Sequence, residues 1–229
     1  MSPIFLIGLL TLLTFIAFAT YRTNQALKVW TPEENILLSP SENIARLILI
    51  ALAVGLGFLS GEDVHTLGWQ PLHPLGDVLI GILLGIAIPL SLYYPSRWVE
   101  THHPEWHSDI VVESIRPRYR GQWPWVILAL LPVALMEELL FRSLLLGAFA
   151  PHVNIVYFVI GVSVVFGLLH LPQGEWGVVG VILVSLVLSV VFLWRESLLV
   201  VVIAHWLMNV IQLVLDAITR RREEEAPSD

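Results

Sequence analysis

Along this chain, long apolar stretches alternate with short breaks rich in proline, glycine and charge. The stretches span residues 4–21, 44–60, 78–94, 123–149, 153–170, 178–194 and 197–218. A transmembrane helix needs about 20 mostly apolar residues, with about 17 as a lower limit. The pattern therefore predicts an all-α fold, a polytopic transmembrane helix bundle of about seven spans. The breaks carry turn chemistry: Thr31-Pro32, Gly61-Glu62-Asp63, the stretch from Pro71 to Pro74, Pro95, Ala150-Pro151 and Pro172-Gln173-Gly174.

Composition sharpens this picture. With 56% hydrophobic and 14% charged residues the chain is too apolar for an ordinary soluble domain, so the lipid bilayer is its solvent. The net charge of -7 and the lack of a basic stripe with interleaved aromatics give no footing for nucleic acid. No cysteine is present, which excludes disulfides, thiolate metal sites and a cysteine nucleophile.

Basic residues orient the spans. Arg22, Lys28 and Arg46 fall on one side, Glu62 and Asp63 on the other, and Arg97, Arg116, Arg118 and Arg120 back on the first, together with Arg220, Arg221 and Arg222. Cytoplasmic loops carry the excess of Lys and Arg, so the expected arrangement has the N-terminus outside and the C-terminus cytoplasmic. Arg195 alone breaks the alternation. Ala17-Phe18-Ala19 has the form of a signal-cleavage site, but no basic segment precedes it and the first stretch reads as an uncleaved helix. The organisation expected is N-terminal helices and a cytoplasmic loop over 1–122, a helical core over 123–219, and a solvated, frayed tail over 220–229.

In such a chain the informative residues are polar ones at membrane depth, where each charge costs at least about 2.5 to 3.5 kcal/mol. The fourth stretch holds Glu137, Glu138 and Arg142, the fifth ends at His170, the sixth has Ser185 and Ser189, and the seventh holds His205, Asn209 and Gln212. Glu138 and Arg142 stand four apart on one helix face, with the carboxylate on the favourable N-terminal side, while Glu137 points about 100° away. His205 and Asn209 are four apart too, as are Phe166 and His170. Singly, each could be a cap or a helix-helix lock; together they mark a substrate or ion path or a catalytic site.

These residues also form three motifs. Glu137-Glu138-Leu139-Leu140-Phe141-Arg142, Phe166-Gly167-Leu168-Leu169-His170 and His205-Trp206-Leu207-Met208-Asn209 resemble the EExxxR, FxxxH and HxxxN motifs of the CAAX prenyl endopeptidase and bacteriocin-processing (Abi) family of intramembrane proteases. The resemblance runs from Trp123 to Asn209, with a weaker echo at Leu67-Gly68-Trp69. It implies that Glu137 and His170 polarise the attacking water, that Glu138 and Arg142 support them, and that His205 and Asn209 bind the developing oxyanion. Zinc is a competing possibility, since His170, His205 and Glu137 would make a His2Glu set with one open position. Spacing does not decide between the two, because the ligands sit on separate helices.

Depth poses a difficulty. Glu137 stands about 12 residues, or about 18 Å, into a straight helix, whereas His170 ends the next span; Pro132 offers a kink that would bring them closer. A second cluster, His102, His103 and His107 with Glu100, Glu105 and Asp109, reads as a surface segment or a metal site, and Trp98, Trp106, Trp123 and Trp125 read as interfacial anchors. The expected activity is endopeptidase cleavage of a membrane-associated protein or peptide. The alternative is a non-catalytic membrane protein that binds a regulatory partner or transports a small solute, although the chain lacks the internal repeat typical of transporters.

Overall fold

The computed structural model of the protein describes residues 1–27, 29–30, 32 and 34–225. Lys28 and Thr31, used above for charge and for a break, lie outside the described residues, as does the end of the tail, 226–229. The helices are α1 (Pro3–Leu27), α2 (Pro40–Ser60), α3 (Pro74–His102), α4 (Ile110–Ile115), α5 (Trp123–Glu138), α6 (Ile155–Leu168), α7 (Gly174–Arg195) and α8 (Leu198–Glu225). Proline in the first turn starts α2, α3 and α5, where its missing N–H is no loss. Gly61, at φ 82°, ends α2 in the left-handed conformation. The fold is all-α, and its outward faces are studded with exposed Leu, Ile, Val and Phe, as a lipid-facing surface requires.

Among the described residues six helices are long and apolar enough to cross a membrane. The fifth expected span, 153–170, is shorter: α6 has 14 residues, about 21 Å of helix, against a hydrocarbon core about 30 Å thick. Its apolar run is longer than its helix because Asn154 caps the start and the chain breaks after Leu168 into a turn carrying His170. The last turn of this short helix carries Phe166, whose ring lies against Arg142 and His170.

The most extensive helix-helix contact joins α3 to α8. Helix α3 is apolar all round, so its packed face is marked by residue size: Asp77, Gly81, Gly85 and Pro89, each four residues after the last, are buried. A β-carbon on Gly81 would stand 2.9 Å from the carbonyl oxygen of Val200, and one on Gly85 would stand 3.0 Å from that of Ala204. Small residues at this spacing let two helix backbones approach closely where no hydrophobic effect drives them together. At the start of the same face Arg195, the residue that broke the charge alternation, donates from Nε to the fully buried Asp77 at 2.8 Å. An exception in loop charge is thus half of an ion pair between α3 and the end of α7.

The loop before α3 is also structural. Leu67 is buried, Gly68 (φ 75°) gives its carbonyl to the N–H of Leu198 at 2.8 Å, and Trp69 donates from Nε1 to Ser143 Oγ at 2.8 Å. The start of the expected frayed tail is instead helical, because α8 runs to Glu225 and Arg220 bonds Asp216 at 3.0 Å one turn away.

The glycine face is testable. Gly85→Leu is expected to lower stability by about 1–3 kcal/mol through overpacking against α8. Gly55→Leu, at a position with nothing within 4 Å of an added β-carbon, should leave the unfolding midpoint in detergent unchanged. Equal midpoints for the two variants would show that α3 and α8 are not held by backbone proximity.

Candidate active site

The charged residues of the fourth span lie where α5 changes its winding. The α-helix ends at Glu138 and continues as a π-helix over Leu139–Gly147, with Pro132 inside the α-helical part. Proline deprives the Leu128 carbonyl of its donor, and π-helical turns are rare features that recur at functional sites. Glu138 and Arg142 are both fully buried, and Arg142 Nη1 donates to Glu138 Oε1 at 3.1 Å, the pairing their spacing predicts.

Two further helices complete the cluster. His205, on α8, brings Nδ1 to 2.7 Å from the same Glu138 Oε1, and its Nε2 lies 3.5 Å from Glu137 Oε2. One imidazole therefore spans carboxylates that diverge on their own helix. From α7, Ser185 accepts from Arg142 Nη2 through its hydroxyl at 3.1 Å and its carbonyl at 3.4 Å. Ser185 is the functional neighbour that the sequence reading left out of the site. A serine on an apolar span was visible, but nothing in its spacing tied it to an arginine on another helix.

Phe166 joins the fourth element. Its ring lies 4.8 Å from the Arg142 guanidinium carbon, 4.7 Å from the His170 ring and 6.3 Å from the His205 ring. A cation over an aromatic face is attracted by the ring quadrupole. The end of α6 is thereby fixed at the level of the charges. His170 Nδ1 is 2.8 Å from the Phe166 carbonyl, which can only accept, so Nδ1 carries the proton and a neutral His170 presents an unprotonated Nε2. Asn209 is half-buried one turn beyond His205 on α8.

The electrostatics are close to balance. Two carboxylates face one guanidinium, and a second proton on His205 would neutralise the set. Glu138 Oε2 and Glu137 Oε2 are both buried with no hydrogen-bond partner among the described residues. They differ in access, since the Glu138 side chain is sealed and that of Glu137 is 20% exposed. Burying an ion pair costs desolvation that only good geometry repays.

Metal donors gather elsewhere. Among the described residues, Glu100, His107 and Asp109 bring one ligand atom each within 4.8 Å of one another. The His170, His205 and Glu137 set is not so gathered. Of the remaining members of the second cluster, His102 stacks on Trp98 with ring centroids 4.7 Å apart, and His103 stacks on Trp106 at 4.4 Å.

Beside α5 runs an apolar groove of about 700 Å³ shared with α2, bordered by Leu47, Trp125, Leu128 and Pro132, with Asn43 as a polar member. It ends at Pro132, about one and a half turns before Glu137.

Neither a curated protein nor a solved structure matches the chain. Residues 119–211 match the family described as type II CAAX prenyl endopeptidase Rce1-like. All the groups of the buried cluster fall inside that stretch, over which similarity to this family is detected.

Proposed function

We propose that the protein is an intramembrane endopeptidase that hydrolyses a peptide bond of a membrane-associated protein or peptide, with Glu137 as general base. The observation that carries this reading is the contrast between two adjacent carboxylates. Glu138 is sealed and committed through Oε1 to Arg142 and His205, whereas Glu137 meets only His205, at a looser 3.5 Å, and its side chain is partly accessible. A carboxylate of the second kind can take a proton from water; one of the first kind can only orient its neighbours.

In the proposed reaction a water between Glu137 and the free Nε2 of His170 gives its proton to Glu137 as its oxygen attacks the carbonyl carbon. The oxyanion that forms accepts from Asn209 and from His205. Because Nδ1 of His205 is engaged by Glu138, donation to an oxyanion uses Nε2–H. Collapse of the intermediate breaks the C–N bond, and Glu137 returns its proton to the leaving amine. Arg142, clamped by Ser185, holds Glu138 in register.

The groove along α5 supports an apolar, membrane-anchored substrate, since an aliphatic chain lying there ends close to Glu137. We place the N-terminus outside and the C-terminus in the cytoplasm, on the excess of arginine between α3 and α5 and after α8. Tags near Ser108 should then be cytoplasmic and a tag near Gly61 external; a cytoplasmic Gly61 would reverse the assignment.

Glu137→Gln keeps the shape and removes the base. Cells carrying it in place of the wild-type protein should accumulate at least one membrane-associated protein with an unprocessed terminus, while the variant inserts and folds normally. Retention of more than about a tenth of wild-type turnover would exclude Glu137 as the base. The proposed mechanism uses protein groups alone, so activity in detergent should survive stripping with a strong chelator. Activity lost on stripping, restored by zinc, and dependent on both His170 and His205 for metal uptake would favour the His2Glu zinc arrangement.

A further inference from the structure

Outside the catalytic cluster, the densest gathering of donor atoms lies where the end of α3 meets the segment that follows it. Glu100 belongs to the last turns of α3, His107 is extended, and Asp109 is the residue that precedes α4. We infer that Glu100, His107 and Asp109 form a zinc site that fastens this segment against the turn bearing His170.

The donor chemistry fits. An imidazole nitrogen and two carboxylate oxygens are common zinc ligands, with bonds of about 2.0–2.2 Å and a remaining position open to water. His107 Nε2 and Asp109 Oδ1 are already 3.0 Å apart, and Glu100 lies within 4.8 Å of both, so a small rotamer adjustment closes the triangle. Each carboxylate is oriented from behind: Arg97 Nη1 holds Glu100 Oε2 at 2.7 Å, and Arg220 Nη2 lies 3.3 Å from Asp109 Oδ2. One oxygen anchored by a neighbour and one turned to the metal is the usual outer-shell pattern for ligating carboxylates.

Charge points the same way. The ion pairs here connect five carboxylates, those of Glu100, Asp109, Glu113, Asp216 and Glu223, to three guanidiniums, those of Arg97, Arg116 and Arg220. A divalent cation makes up that deficit.

The position gives the metal a consequence. Gly174, at φ 83°, starts α7 just after the short turn Leu171–Gln173 that begins at His170. A β-carbon on Gly174 would stand 3.0 Å from the carbonyl carbon of His107, so backbone packs on backbone at this point. Immobilising His107 thus immobilises the surface on which the His170 turn rests.

The test uses the full-length protein in detergent, stripped with chelator and titrated with zinc by calorimetry, with hydrogen exchange followed in parallel. The wild-type protein should bind one equivalent, with slowed exchange over residues 103–109 and 170–174. His107→Ala and the shape-preserving Asp109→Asn should each weaken binding at least about tenfold and abolish the exchange effect. Glu137→Gln should bind zinc as the wild type does. No uptake by the wild-type protein, unchanged uptake in folded Asp109→Asn, or loss of uptake in His205→Ala but not in His107→Ala would each overturn the assignment.

Discussion

Glu138 Oε1 accepts from Arg142 and from His205 at a point without solvent, and the interior of the bundle is arranged around that shared acceptor. An unpaired charge at this depth is prohibitive, and removing one partner of a buried pair costs about 3–5 kcal/mol. The pairing therefore binds α5 to α8, and through Ser185 the same guanidinium reaches α7. Phe166 adds α6 by lying against that guanidinium. Four helices are located by one charge and its neighbours, in a medium where apolar side chains cannot sort helices by hydrophobicity.

That arrangement explains the division of labour between adjacent glutamates. Because Glu138 absorbs both cationic partners, Glu137 is spared from them, and its proximity to His205 Nε2 is a looser 3.5 Å. The winding change after Glu138 matters here. A continuous α-helix with no proline would hold the two carboxylates rigidly in one ladder, whereas Pro132 and the π-helical turns let the segment settle around the buried pair.

The sequence made the chemistry more legible than the scaffold. Glu137, Glu138, Arg142, His170, His205 and Asn209 stood out because polar groups in apolar stretches have no bland explanation in numbers. Helical spacing then correctly paired Glu138 with Arg142. Three features were hidden for physical reasons. The packed face of α3 could not be found by hydropathy on a helix apolar all round; only the four-residue recurrence of Asp77, Gly81, Gly85 and Pro89 marks it. The length of α6 was overestimated because hydropathy does not register where a helix is capped. Arg195 looked like an exception because its partner, Asp77, is far away in sequence.

The brevity of α6 bears on the lipid as well as on the site. A helix about 21 Å long among longer neighbours leaves a notch in the hydrophobic belt, and the bilayer meets such a deficit by thinning, or by letting polar head groups dip inward. His170 follows the end of this helix. On the function proposed above, membrane thickness becomes a variable that the architecture exposes to the buried cluster.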